Sequence, residues 1–317
     1  MKLNVFIIKK NHVFLFFSSI ILFCIMVVFF REYDANSDYV NFNEATVVTM
    51  SNTKDDDTIK KDLNGDGNED LLYIASKNGK YYLEASINNK TLALNPNKQL
   101  NTLGYSYPYW PMSLSFIDLN RDKKPELIIQ SSQDNSPVQH IFVYNNNEFQ
   151  DIYSSTNNII GILDSKNNKT PKLFSLSIKN GISEIQNYMI IDNTIKNISY
   201  ENYQIPAINS IERFVNLIES PYVIAEPPSI FSENINSNDF SILWRLDKDN
   251  FSYVLEDAFF TDTKWDKDGK TETISWNMNF KRTNKTNISN IDRLNIKLEI
   301  SKNNSGYLIS KIKSIQK

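Results

Sequence analysis

Asp62-Leu63-Asn64-Gly65-Asp66-Gly67-Asn68-Glu69-Asp70 runs directly into the apolar stretch Leu71-Leu72-Tyr73-Ile74-Ala75. Oxygen-bearing side chains stand at 62, 64 and 66, and a carboxylate returns at 70. A tight loop with that alternation aims Asp62, Asn64 and Asp66 at one centre. The main-chain carbonyl of Asn68 closes the ring, and both oxygens of Asp70 are free for the same ion. Ca²⁺ takes six to eight hard oxygens at ~2.3–2.6 Å, whereas Mg²⁺ is less forgiving of so crowded a set. Gly67 supplies the bend after the third ligand. Without a cation, three carboxylates this close in sequence would repel one another. The loop therefore reads as a calcium site. An EF-hand needs Glu at the twelfth position and a helix on each side. Here the twelfth residue is Tyr73 and a strand follows, which also disfavours a dockerin-type repeat.

The pattern recurs. Ser115-Phe116-Ile117 leads into Asp118-Leu119-Asn120-Arg121-Asp122-Lys123-Lys124-Pro125-Glu126 and then Leu127-Ile128-Ile129. Asp118, Asn120, Asp122 and Glu126 occupy the first, third, fifth and ninth positions, and Lys124 supplies its main-chain carbonyl at the seventh. Two added lysines predict weaker calcium binding, or none at moderate calcium. A third echo begins at Asp164, where Lys166 and Lys172 fall on ligand positions, so that copy is expected to hold no ion and to persist as a turn. The first positions lie 56 and 46 residues apart, compatible with blade-sized repeats of ~40–50 residues plus an insertion.

A calcium loop feeding straight into a buried strand resembles the FG-GAP and VCBS repeats, the blade units of integrin-like β-propellers. The resemblance covers residues 45–205 and implies propeller-like antiparallel β repeats whose calcium is structural. The FG and GAP signatures themselves are absent, and three or four units do not close a typical ring of seven.

The remaining sequence agrees with a mainly β chain. Asn78-Gly79, Asn180-Gly181, Asp268-Gly269 and Ser305-Gly306 sit between apolar or alternating segments and predict tight hairpins. Asn145-Asn146-Asn147 and Asn157-Asn158 are expected to do the same turn work, since Asn tolerates left-handed backbone. Ile208, Ile211, Phe214, Val215 and Ile218 form one helical face bracketed by Pro206 and Pro221. A boundary is placed there, giving a smaller α+β domain over 206–317 with strands at 240–244, 273–280, 294–300 and 307–315. That element order resembles the cone-shaped domains of the nuclear transport factor superfamily, an analogy only. Trp244, Trp265 and Trp276 are expected to pack in the core rather than to line a pocket.

At the N-terminus, residues 13–30 carry no charge and are nearly long enough to cross a bilayer. Lys2, Lys9 and Lys10 precede them, and Glu32, Asp34 and Asp38 follow, so residues 1–12 are expected in the cytoplasm and the bulk outside. No small-residue exit supports cleavage of a signal peptide, and Phe23 before Cys24 argues against a lipoprotein signal. Residues 31–44 read as a tether and 45–205 as the β repeats. The single Cys and two His exclude a disulfide framework and cysteine zinc sites, and a net charge of −3 with no basic field excludes nucleic acid. The Asn, Lys and Ile bias is that of an AT-rich bacterial genome.

No serine-nucleophile elbow, zinc-protease pair or phosphate loop is present, and His140 reads as a structural residue. The expectation is a single-pass, membrane-anchored extracytoplasmic protein with Ca²⁺ bound, a non-catalytic binding or adhesion module for a protein or cell-envelope polymer. The alternative is a cell-envelope enzyme with its pocket in the C-terminal domain and the repeats as a targeting module.

Overall fold

The computed structural model describes residues 48–49, 57–179, 181–223, 226, 228–304 and 306–315. The expected cytoplasmic tail, membrane anchor and tether lie outside the described residues. Among those described, no helix is long and apolar enough to cross a membrane. Strand makes up 53% of the chain and helix 9%, so the mainly β reading holds.

Three antiparallel meanders of four strands follow one another. The first is β2 (Asp57–Lys61), β3 (Asp70–Lys77), β4 (Lys80–Ile87) and β5 (Lys90–Ala93). The second is β6 (Ser113–Ile117), β7 (Glu126–Gln133), β8 (Ser136–Asn145) and β9 (Glu148–Ser155), with β1 (Val48–Thr49) added beside β6. The third is β10 (Ile159–Leu163), β11 (Lys172–Leu176), β12 (Gln186–Ile191) and β13 (Thr194–Asn197). Two-residue turns with both central residues at positive φ match the right-handed twist of the strands they join. Asn78-Gly79, Asn88-Asn89, Asp134-Asn135, Asn146-Asn147 and Asp192-Asn193 all have this form. Asn157-Asn158 does not: Asn158 is buried and its side-chain oxygen accepts the N–H of Ile178, 3.0 Å away.

The sheets stack through alternate residues. Leu127 and Ile129 of β7 join a core shared with the first sheet, including Leu72, Leu83 and Ile87. Ile128 points the other way, into a core with Ile160, Ile162 and Leu173 of the third sheet. Seven of the eight residues of β7 are consequently buried, polar ones included, because both faces of the strand are covered. Two of the buried polar residues find partners in neighbouring elements: Gln130 Nε2 donates to the Ala258 carbonyl at 3.1 Å, and Ser131 Oγ to that of Leu103 at 2.5 Å. The described residues form no closed barrel or propeller.

Two expectations need correction. The third meander continues into β14 (Phe251–Trp265), β15 (Thr271–Asn284), β16 (Ile291–Asn303) and β17 (Gly306–Ile315), making one eight-stranded sheet. β10 and β14 pair in parallel, with Ile159 opposite Ala258, and residues 45–317 form one compact unit. A division near residue 205 therefore cuts a sheet whose strands recruit each other across it. Close packing enforces the join: a Cβ on Gly161 would lie 2.1 Å from Phe260 Cε1. Second, the stretch read as a strand at 240–244 is helical. Helix α1 (Ile208–Glu219) buries the predicted face, and α2 (Ser237–Trp244) follows. Asn236 caps α2 by accepting the Asn238 N–H at 2.9 Å, and Asp239 lies in its positive first turn. Both helices pack over the apolar face of β14–β17, around Phe260, Trp276, Phe280 and Leu298. The buried ammonium of Lys248 closes the end of α1, donating to the carbonyls of Leu217 and Ser220 at 2.6 and 2.9 Å.

Candidate metal centre

Loop one (residues 62–69) joins β2 to β3, and the pair Lys61–Asp70 sets its mouth. The side-chain oxygens that define the motif wind the backbone. Asp62 accepts the N–H of Gly65 at 2.7 Å and of Gly67 at 2.9 Å; Asn64 Oδ1 accepts that of Asp66 at 2.8 Å. Asp66 accepts the N–H of Asn68 at 2.8 Å, and Asp70 reaches back to that of Leu63 at 2.9 Å. Gly65 and Gly67 take φ of +76° and +87°, which this winding demands.

Loop two (residues 118–125) joins β6 to β7 in the same register, Ile117 opposite Glu126. Each of those main-chain bonds recurs. Asp118 accepts from Arg121 and Lys123 at 2.7 and 3.0 Å, Asn120 from Asp122 at 2.9 Å, and Asp122 from Lys124 at 2.9 Å. Glu126 accepts from Leu119 at 2.6 Å. Arg121 and Lys123 stand at φ +67° and +70° where loop one has glycines, a conformation that costs a side-chain-bearing residue about 1–2 kcal/mol. The carboxylate-to-backbone bonds hold the winding without glycine.

Loop three (residues 164–171) keeps the register, Leu163 opposite Lys172, but not the chemistry. Lys172 Nζ lies 2.6 Å from Asp164 Oδ2 in a mostly buried pair, and Lys169 Nζ is 3.9 Å from the other oxygen. The N–H of Ser165, equivalent to Leu63 and Leu119, donates to Asp262 Oδ1 at 3.1 Å, and that of Asp164 to Oδ2 at 2.7 Å.

The loops stand in a row on one rim. A Cβ on Gly65 would lie 3.2 Å from the Lys123 carbonyl. The guanidinium of Arg121 donates to the carbonyls of Asn167 and Lys169 at 2.7 and 2.8 Å, and Lys169 Nζ reaches that of Gly269 at 2.9 Å. Asp266-Lys267-Asp268-Gly269-Lys270 is the β14–β15 hairpin, as its spacing predicts, with Asp266 accepting the N–H groups of Asp268 and Lys270.

Loops one and two fit a hard cation in donor type and in charge. Burial raises the Asp70 carboxyl, which is 6% exposed, and repulsion from Asp66 and Asp62 raises it further. Burial, then Asp118 and Asp122, push Glu126 up to about 8. A cation would relieve both. The carboxylates are nevertheless not gathered into a cage: among the described residues no three His, Cys, Asp or Glu side chains converge to hold a metal. Asp70 and Glu126 instead cap the N–H of the second loop residue. The carbonyls of Asn68 and Lys124 remain candidates for the seventh position.

Elsewhere, His140 is buried between Asp151 Oδ2 and the Thr102 carbonyl, each 2.7 Å from a ring nitrogen, so both nitrogens are committed to the packing of β8. Trp276 stacks on Phe260 in the core with ring centroids 4.3 Å apart, Trp265 donates to Asp262 at 2.7 Å, and Trp244 is exposed. Three features carry no local signal. Asp262 serves loop three from a strand 97 residues away. Arg245, Arg282 and Arg293 meet at one cavity from three elements. Glu256 and Asp257 lie buried at a β-bulge. Burial and its neighbour Asp257 push Glu256 up to about 9, and neither of its oxygens has a partner. Burial raises Asp257 to about 6 against hydrogen bonds from Asn279 and Trp110 at 2.6 and 2.5 Å.

A comparison with curated proteins returns no match. A protein-family model, that of the FG-GAP-like repeat, matches residues 62–129. The match starts on the first residue of loop one and ends on Ile129 of β7, so it takes in both hydrogen-bonded loops and strands β3 to β6. Residues 62–129 are thus similar to the FG-GAP-like repeat.

Proposed function

We propose that the chain is a single-pass, membrane-anchored extracytoplasmic protein that binds a protein or cell-envelope polymer without catalysis, and that Ca²⁺ in loops one and two stiffens the repeats. Asp62, Asn64, Asp66, Asp70 and the Asn68 carbonyl hold the first ion. Asp118, Asn120, Asp122, Glu126 and the Lys124 carbonyl form the weaker second site. The meanders act as propeller-like blades, and the loop-bearing rim is the binding surface. The observation that carries this reading is the recurrence of one hydrogen-bond scaffold in two acidic loops whose ninth carboxylate is buried and repelled by its neighbours. An ion that binds only the folded state stabilises it by RT ln(1 + [L]/Kd), about 2.7 kcal/mol at a hundredfold excess over Kd.

The test is thermal unfolding of the full chain in calcium and in chelator, with and without Asp66→Ala. Calcium is expected to raise Tm without exposing an apolar groove, and Asp66→Ala to remove most of that rise. Equal Tm in calcium and chelator would end the structural-ion reading. The enzyme alternative calls for converging carboxylates in a C-terminal pocket. The cavity beside α2 is instead lined by arginines, and Asp257 is engaged by Trp110 and Asn279.

A further inference from the structure

Between α2 and the ends of β14–β17 lies a cavity of about 570 Å³. Arg245, Arg282 and Arg293 line it, and no carboxylate does. Four polar atoms of its lining are buried without a hydrogen-bond partner: Arg282 Nε, Arg293 Nη1, Asn295 Oδ1 and Ser314 Oγ. Buried donors and acceptors are nearly always satisfied in folded proteins, so four around one cavity mark a place where a polar group is missing.

The charge that lines the cavity is positive only, the nearest carboxylates standing behind its wall. Arg282 has a counter-ion, Asp292 at 3.1 Å, but that carboxylate is 51% exposed and engages Nη1, leaving Nε unused. Arg293 is near Asp257 and Glu256, and burial works against its charge. Arg245, exposed at the C-terminal end of α2, makes no ion pair among the described residues. Water filling the cavity would satisfy hydrogen bonds but would bring no counter-charge to Arg245. Planar guanidinium forks bind carboxylate and phosphate oxygens in pairs. Beside the arginines the wall is mixed: Asn238, Ser241, Asn295 and Ser314 are polar, while Ile242, Leu246, Leu294 and Tyr253 offer an apolar patch against which a carbon skeleton can rest.

We propose that this cavity binds a small organic anion, a carboxylate or phosphate monoester carried on an apolar group. Arg282 and Arg293 hold the anionic head, Arg245 closes over it from the rim, and Ile242, Leu246 and Tyr253 take the apolar part. The site is independent of the calcium loops.

The experiment is isothermal titration calorimetry on the full chain with 4-phenylbutyrate, phenyl phosphate and the uncharged 4-phenylbutanol, repeated in chelator. One anionic probe is expected to bind saturably, at least tenfold tighter than the alcohol, and unchanged by chelator. Which probe wins separates carboxylate from phosphate. Arg293→Gln and Arg245→Gln are each expected to weaken that binding by about tenfold or more, the range of one hydrogen bond to a charged group. Saturation by neither anion, equal affinity for the alcohol, or unchanged affinity in folded Arg293→Gln would overturn the proposal. If Arg293→Gln does not fold, Arg245→Gln decides, because its side chain is exposed; unchanged affinity there overturns the proposal equally.

Discussion

Loops one and three occupy the same place in the first and third meanders, open from the same strand register, and satisfy themselves differently. In loop one the ninth residue, Asp70, caps the N–H of Leu63, and the first residue, Asp62, has only backbone N–H partners among the bonds described. In loop three the ninth residue has become Lys172, whose ammonium neutralises the first residue, and the vacated cap is supplied by Asp262 from β14. Two requirements persist through the exchange: positive charge for the first carboxylate and an acceptor for the second N–H. A mobile ion and a local acid meet them in one reading; a fixed lysine and a distant acid meet them in the other. Loop three thus depends on the C-terminal strands for what loop one supplies from its own ninth residue.

Removing Asp262 should break that arrangement most severely. Asp262→Ala strips acceptors from Asp164 N–H, Ser165 N–H, the Ser165 hydroxyl and Trp265 Nε1 in a site 1% exposed. A loss of about 3–5 kcal/mol is expected in urea unfolding, equal in calcium and in chelator. Lys172→Met comes next, at about 2–3 kcal/mol, because Asp164 then keeps its charge with only the longer Lys169 contact at 3.9 Å and the Asn167 amide beside it. Calcium should not rescue it, since Lys166 still occupies a ligand position; rescue would show that loop three retains a site.

A third measurement separates pH effects in the C-terminal sheet from those in the loops. Glu256 is raised to about 9 from an ordinary 4.5, so the folded state holds a proton that the unfolded state releases. Its contribution is complete below about pH 4.5 and is lost as pH rises towards 9. Replacing it with the uncharged isostere, Glu256→Gln, should flatten the decline in stability between about pH 6 and pH 8 by on the order of 2 kcal/mol. Identical slopes in urea titrations of the two proteins would refute this. The smallest effect expected is that of Asp66→Ala in chelator. Asp66 is exposed and bonds mainly within the loop, so the Tm of the variant should stay close to that of the unsubstituted chain, the difference appearing only when calcium is added.

What the sequence made legible follows the reach of each interaction. Loops one and two close their hydrogen bonds within nine residues, so spacing alone located Asp62 to Asp70 and Asp118 to Glu126. The hairpins are equally local, and α1 shows its buried face through five apolar residues at helical intervals. Short apolar runs are ambiguous between strand and helix, and in α2 the cap at Asn236 decided the matter. The Pro-bracketed helix marks the start of a separate domain in the sequence, yet it lies in the crossover between β13 and β14 of one sheet. The parallel pairing of β10 with β14, the cap at Asp262 and the arginine-lined cavity all join residues far apart in the chain, where periodicity carries no information.

The parallel pairing of Ile159 with Ala258 also constrains the order in which the chain can mature. Pairing at such separation must close a long loop before it is rewarded, which slows it. The first two meanders have local hairpins and can assemble while synthesis continues. β10 must wait, one edge bare, until residues beyond 262 have emerged. A nascent or truncated polypeptide ending near residue 250 would display that open apolar edge to other chains, and self-association there is the hazard its synthesis would have to manage.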